Sequence, residues 1–233
     1  MIRRRSLLIG AAVLLFAALI LFMPLRVAVV GDGVTARKVE GILWDGSIRD
    51  LRVGRLAIGD VNARLKFWPL FLGRAQISLS RGDAQFAPGI DGSVTRRPSG
   101  FSIDNMRASF PVGQFFAPLP AQNIELQDFS VRFGAGRCLT ADGSVRLTLP
   151  GGIPGFDVAN GMLGKPVCNG GDLLVPLRSQ SAMERIDIRV KADGSYTATI
   201  FLSGDRLDQS VALGLAGFRA VAGGQRMVLR GRL

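Results

Sequence analysis

One uncharged apolar segment near the N-terminus limits what this chain can fold into more than any other feature. The 20 residues from 6 to 25 include no Asp, Glu, Lys or Arg and are rich in Leu, Ile, Val, Phe and Ala. A helix of that length, at about 1.5 Å per residue, is roughly 30 Å long, which matches the hydrocarbon core of a bilayer. The segment therefore predicts a single transmembrane helix.

A cleaved signal peptide is the alternative interpretation of this segment. The apolar core of a signal peptide runs about 7–15 residues and ends at a small-residue A-x-A site. Here the apolar run is longer, and the sequence continues as Met23-Pro24-Leu25-Arg26 without such a site. We therefore favour an uncleaved anchor.

The charges on either side of the segment predict its orientation. Arg3, Arg4 and Arg5 precede it, whereas Arg26 is the one basic residue that follows closely. The positive-inside rule keeps the more basic flank in the cytoplasm. We therefore predict a cytoplasmic N-terminus at residues 1–5, an inner-membrane helix at residues 6–25 and a periplasmic β-rich domain at residues 26–233.

The composition excludes several kinds of chemistry. The chain has no histidine, which removes Ser-His-Asp and Cys-His catalysis and every His-ligated metal site. A Gly-x-x-x-x-Gly-Lys phosphate loop is also absent from the sequence. We expect no enzymatic activity, no cofactor and no catalytic or metal-ligating residues.

The net charge of +11 raises the question of an anionic partner. Anionic lipid head groups, nucleic acid and an acidic protein are all compatible with a basic surface. The basic residues of the exported part are scattered, however, with no run longer than pairs such as Arg37-Lys38 and Arg96-Arg97. We interpret them as the solvated face of strands, and a periplasmic location argues against nucleic acid.

Alternation of apolar and polar residues is the dominant pattern after the anchor, and it is typical of half-buried strands. Asp-Gly pairs predict hairpins at Asp45-Gly46, Asp142-Gly143 and Asp193-Gly194. A change of phase near Gln127-Asp128 predicts a bulge, and a short helix is expected at about 206–216. The predicted fold is all-β, a curved antiparallel sheet or sheets with one short C-terminal helix. The clearest alternating segments are 61–67, 75–80, 145–149 and 186–192.

The two cysteines, Cys138 and Cys168, are 30 residues apart in the sequence. In an oxidising periplasm a bridge between them would stabilise the fold by roughly 3–4 kcal/mol. Two free buried thiols are the alternative. We favour the disulfide.

A series of short motifs, taken together, resembles a known family. A G-x-L-W-x-G box lies behind the anchor at residues 41–46, and a hairpin with a Trp-Pro turn follows it. The series continues with Cys168-x-Gly170-Gly171, then Gly217-Phe218 and the terminal Gly231-Arg232-Leu233. The order and spacing of these motifs resemble type II secretion system protein N, a family of the general secretion pathway of Gram-negative bacteria.

The resemblance implies an accessory, non-enzymatic subunit of the inner-membrane platform that exports folded proteins across the outer membrane. Its expected partners are other subunits of the type II secretion system and the inner membrane itself. AsmA-type proteins, which are associated with lipid transport and outer-membrane assembly, share the arrangement of one anchor and a curved β domain. An AsmA-like lipid-binding or lipid-transfer role, with phospholipid as a partner, is therefore the alternative.

Overall fold

The computed structural model describes residues 24–25, 34–54, 56–82, 89–111, 122–149, 161–204, 210–215 and 217–232. The predicted cytoplasmic residues 1–5, and the predicted membrane helix up to residue 23, lie outside these ranges. No helix within the ranges combines the length and the apolar character needed to cross a membrane.

The described residues form sixteen β-strands and two short helices. Strands β1 to β8 span Val34–Thr35, Lys38–Ile42, Asp45–Val53, Leu56–Leu65, Ala75–Arg81, Ile90–Arg97, Gly100–Pro111 and Asn123–Gly134. Strands β9 to β16 span Arg137–Thr148, Met162–Gly164, Val167–Asn169, Asp172–Arg178, Glu184–Val190, Ser195–Ser203, Arg219–Val221 and Gly224–Arg232. Helix α1 spans Phe67–Leu70, and helix α2 spans Ser210–Leu215.

All of these strands belong to one antiparallel sheet, which confirms the all-β prediction. The order in the sheet is β1-β3-β4-β5-β6-β7-β8-β9-β10-β12-β13-β14-β16-β15, while β2 pairs with β3 and β11 pairs with β12. Most neighbours in the sheet are therefore neighbours in the chain. Among the described strands nothing pairs β15 with β1, so the sheet has two open ends.

The core lies on one face of this sheet, where apolar side chains of neighbouring strands meet. Leu177, Ile186, Ile200 and Met227 are direct cross-strand partners from β12 to β16, and all four are buried. The residues between them point to the opposite face, because side chains alternate along a strand. Cross-strand rows of this kind are the unit that stabilises a sheet.

Three of the bulges that bend the strands place an Asp or Asn in the left-handed backbone region. Asp50, Asn105 and Asp128 have φ of 53°, 50° and 50° and lie at register shifts in β3, β7 and β8. Asn and Asp tolerate this conformation better than most residues. The bulge predicted near Gln127-Asp128 is confirmed, and the repeated bulges curve the sheet.

Of the three predicted hairpin turns, one is confirmed and two are wrong. Asp193-Gly194 does connect β13 to β14, as predicted. The prediction at Asp142-Gly143 is wrong, because both residues lie inside β9, where Gly143 has φ +103° opposite the bulge at Asp128. The prediction at Asp45-Gly46 is also wrong, since Asp45 already pairs with Ile42 and the turn lies at residues 43–44.

The short C-terminal helix is present as α2, at residues 210–215 of the predicted 206–216. Gly217 ends it in the left-handed region with φ +96°, and its N–H donates to the carbonyl of Gly214. The Phe218 N–H donates to the carbonyl of Leu213, and both side chains are buried. This arrangement is typical of a glycine helix stop.

Candidate docking surfaces

The connection between β4 and β5 exposes a cluster of large apolar side chains. Trp68 is 80% exposed, Phe71 70% and Leu72 72%. We call residues 67–72 the aromatic turn. Contiguous apolar groups in contact with water usually mark a site of interaction with another protein or a membrane.

Backbone hydrogen bonds and ring contacts hold the aromatic turn in a fixed shape. The N–H groups of Leu72 and Arg74 both donate to the carbonyl of Pro69, at 3.0 Å. The ring of Phe67 contacts that of Phe71 at a centroid distance of 5.0 Å and that of Trp44 at 5.5 Å. The exposed side chains are therefore presented from an ordered base.

A cleft of about 540 Å³ is lined by side chains of the aromatic turn together with Thr95, Arg97 and Asp104. On its floor Asp104 Oδ2 accepts from Thr95 Oγ1 and from Ser102 Oγ, both at 3.0 Å. Arg97 Nη1 donates to Ser102 Oγ at 2.9 Å. Because the buried hydroxyls of Thr95 and Ser102 are satisfied by the half-buried Asp104, this part of the cleft does not require a ligand to complete its hydrogen bonds.

A basic face covers the outer side of strands β12 to β16. In two places its arginines lie directly opposite each other on neighbouring strands, as Arg178 with Arg185 and Arg219 with Arg226. Like charges in such positions destabilise a sheet. Asp187 offsets the repulsion between Arg178 and Arg185 through an ion pair of 2.7 Å with Arg185. The basic face consists of Arg178, Arg185, Arg189, Arg219, Arg226, Arg230 and Arg232.

One strand of the basic face has an open edge. β15 pairs only with residues 224–226 of β16, so residues 227–232 have no partner strand on that side among the described residues. The open part carries Arg230 and Arg232. Charged side chains on an edge strand discourage indiscriminate pairing but leave the backbone groups free for a chosen partner.

Two surface carboxylates have lowered pKa values. The pKa of Asp193 is lowered by hydrogen bonds from the hydroxyl and the N–H of Ser195, with a smaller contribution from Arg232. A hydrogen bond from Lys38, with the charges of Lys38 and Arg49, lowers the pKa of Glu40. Hydrogen bonds and nearby cations favour the charged form of a carboxylate, so Asp193 is an anion beside one corner of the basic face.

The comparison with known protein families covers most of the chain. The model of the family described as type II secretion system (T2SS), protein N, matches residues 32–226. The chain belongs to the type II secretion system protein N family. This confirms the resemblance seen in the motif series.

A curated relative supports this membership. Type II secretion system protein N of Vibrio cholerae serotype O1 is 30% identical over 144 residues, which cover 56% of this chain and 57% of the relative. The chain thus spans little more than half of that relative, so the activity and partners of the whole protein are taken up as proposals below. No solved structure matches the chain.

The G-x-L-W-x-G box of this family member forms the β2–β3 hairpin. Gly41 and Gly46 pair directly across the two strands, and Gly41 has φ +90°. A Cβ atom on Gly46 would lie 2.5 Å from Leu25 Cδ2, so only glycine lets Leu25 pack there. Leu43 is buried and Trp44 is half-buried. The box is therefore explained by close packing.

The two cysteines predicted to form a disulfide lie next to each other, close to the β8–β9 turn. Cys138 in β9 and Cys168 in β11 have Cα atoms 5.4 Å apart and are joined as a disulfide. The Cys138 N–H donates to the carbonyl of Gly171 at 2.6 Å, which adds a backbone link at the same place. Formation of the bond in the cell stays a prediction.

Sequence reasoning missed a buried carboxylate at the β12–β13 turn. Glu184 is 1% exposed, and its Oε2 accepts from Ser179 Oγ at 2.6 Å and from Ser181 Oγ at 2.7 Å. The sequence did indicate this burial. Glu184 belongs to the same alternating set of β13 positions as Ile186 and Ile188, whose side chains point into the core. The hydrogen bonds from Ser179 and Ser181 to Glu184 hold the turn together.

We expect Glu184→Ala to lower the free energy of unfolding by about 1–3 kcal/mol, because it leaves the buried Ser179 hydroxyl without its carboxylate acceptor. Urea unfolding of the full chain in mild detergent, followed by circular dichroism, measures the change. Glu125→Ala is the control, since its ion pair with Arg146 is 3.9 Å long and partly exposed; it should cost less than about 1 kcal/mol. Equal losses in the two variants would contradict a special role for Glu184.

Proposed function

We propose that this chain is a non-enzymatic accessory subunit of the inner-membrane platform of the type II secretion system, which exports folded proteins across the outer membrane. Family membership supports the assignment to this system. The uncharged residues 6–25 and the arginines before them support an inner-membrane anchor with the sheet in the periplasm. In this role the sheet is a tethered docking platform for other secretion subunits.

The open edge of β16 is the observation that best supports docking. Residues 227–232 offer backbone donors and acceptors along one side of the strand, where an extended segment of a partner can add as a further strand. The arginines beside this edge favour a partner with Asp or Glu on its outward face, because complementary charge speeds association and fixes register. We therefore propose strand addition by an acidic segment of a platform subunit.

The lipid-transfer alternative has less support. None of the comparisons points to it. An acyl chain would need to contact the inward face of the sheet, yet Met162, Leu177 and Leu202 on that face are already buried. These side chains already pack against other residues of this chain and are not open to an acyl chain. Mass spectrometry of the chain purified in mild detergent would show stoichiometric phospholipid if this alternative were correct.

Photo-crosslinking in a secreting cell tests the proposed function. Arg230 and Arg189 are both exposed and belong to the same cross-strand row, with Thr197 between them, but only Arg230 lies on the edge strand. We expect benzoylphenylalanine at position 230 to crosslink strongly to another secretion subunit. The same residue at position 189 should give much less product, because β13 is paired on both sides.

The crosslinking chains must first restore secretion in a strain that lacks its own copy. Normal release of type II cargo by that strain without any copy would contradict a role in the system. Equal crosslinking from positions 189 and 230, with secretion restored, would contradict strand addition at β16 while leaving the secretion role intact.

A further inference from the structure

The end of the predicted membrane segment is attached to one particular end of the sheet. Pro24 bridges to Ile42, and the Leu25 N–H donates to the carbonyl of Gly41 at 3.3 Å. The Leu25 side chain is 1% exposed. Because Leu25 is the last residue of the uncharged run, the chain leaves its apolar segment directly at the β2–β3 turn.

The aromatic turn lies at this same end of the sheet. The Leu65 N–H donates to the carbonyl of Leu43 at 3.0 Å, which joins the end of β4 to the β2–β3 turn. The Phe67 ring then contacts Trp44 with centroids 5.5 Å apart. A bilayer that holds the apolar segment would therefore be close to the exposed Trp68, Phe71 and Leu72.

The charges around the aromatic turn fit a membrane surface. Residues 61–82 contain four basic residues and no Asp or Glu, while Asp45 pairs with Arg64 at 2.9 Å and Asp104 lies in the cleft next to the turn. Lys66 and Arg74 stand on either side of the turn and are exposed. Trp, Phe and Leu flanked by basic side chains are typical of segments that lie at the boundary between anionic head groups and acyl chains.

We propose that the aromatic turn inserts Trp68, Phe71 and Leu72 into the interface of the bilayer, as a second membrane contact beside the N-terminal segment. This contact fixes the tilt of the sheet, because two attachment points at one end leave less freedom than a single one. A bilayer takes up exposed Trp, Phe and Leu side chains without a complementary surface, whereas a protein partner would need one. The proposal rests on the inner-membrane topology proposed above.

The two tryptophans of the chain allow a direct test with the full-length protein. Trp44→Phe keeps an aromatic ring against Phe67 and leaves Trp68 as the only tryptophan. In vesicles of phosphatidylglycerol and phosphatidylethanolamine, we expect Trp68 emission to shift to shorter wavelength. Replacing part of the lipid with a phospholipid brominated on its acyl chains should remove most of that emission.

A matched control places the single tryptophan at the opposite end of the sheet. Met183 is exposed at the β12–β13 turn, far from the aromatic turn along the strands. A chain with Trp44→Phe, Trp68→Phe and Met183→Trp should keep its emission in brominated vesicles. Its tryptophan should be quenched by iodide in the surrounding solution instead.

Charge reversal separates the electrostatic part of the contact. Lys66→Glu with Arg74→Glu, in the Trp44→Phe background, should weaken quenching by brominated lipid in vesicles that contain phosphatidylglycerol. Equal quenching of the reversed and the unreversed chain would contradict the proposed role of these two residues.

The contrary result is Trp68 emission that iodide quenches and brominated lipid does not. That result would refute insertion and leave a protein partner as the occupant of the aromatic turn. Flotation of the same vesicles, after extraction with alkaline carbonate, reports the anchor separately. Failure of the anchor and failure of the turn to insert are therefore distinguishable, and neither depends on crosslinking at Arg230.

Discussion

Replacing Leu177 with alanine is expected to lower the free energy of unfolding by about 2–5 kcal/mol. Leu177 is 0% exposed and is the direct cross-strand partner of Ile186 on β13. Alanine would lose the transfer free energy of the removed methyl and methylene groups and leave a cavity in a row that extends to Ile200. Since natural domains are stable by only about 5–15 kcal/mol, this is a large fraction of the total.

Urea unfolding in mild detergent, followed by far-ultraviolet circular dichroism, measures this change. Leu139→Ala is the matched control, because Leu139 is also a strand leucine but is 57% exposed. A substitution at such a surface position usually changes stability by less than about 0.5 kcal/mol. If both variants unfolded at the same urea concentration, the inward row of β12 to β16 could not be the core described above.

The strand pattern was predictable because it depends on local physics. In the segment 186–192 the apolar residues occupy one phase and the charged residues the other, and the structure buries the apolar phase of β13. The Asp-Gly pairs were less informative. A glycine with positive φ serves a bulge as well as a hairpin, so Gly143 and Gly194 look alike in sequence although one lies inside a strand.

The candidate surfaces were harder to predict, because they depend on register and exposure. The arginines of the basic face are scattered through the sequence, and pairing alone brings Arg178 opposite Arg185 and Arg219 opposite Arg226. The aromatic turn was recognisable as a turn, but an apolar run in a sequence does not show whether its side chains are buried or exposed. The contact between Trp44 and Phe67 joins two hairpins, and no spacing rule indicates it.

Loss of the disulfide is the second change for which we expect a large effect. Cys138 and Cys168 close a loop of 30 residues between β9 and β11. In the chain-entropy model such a bridge stabilises the fold by roughly 3–4 kcal/mol, chiefly by restricting the unfolded chain. The loop that the bridge closes contains β10, which is only three residues long, and ends in β11, which is equally short.

Mass mapping of peptides from the non-reduced full-length chain should give one linked pair that contains Cys138 and Cys168. Treatment with dithiothreitol should then lower the free energy of unfolding by roughly 3–4 kcal/mol. A chain with Cys138→Ala and Cys168→Ala should unfold like the reduced protein and should not respond to the reductant. Two free thiols in the untreated chain would refute the bridge in the cell. An unfolding curve that dithiothreitol leaves unchanged would show instead that the sheet holds these strands without it.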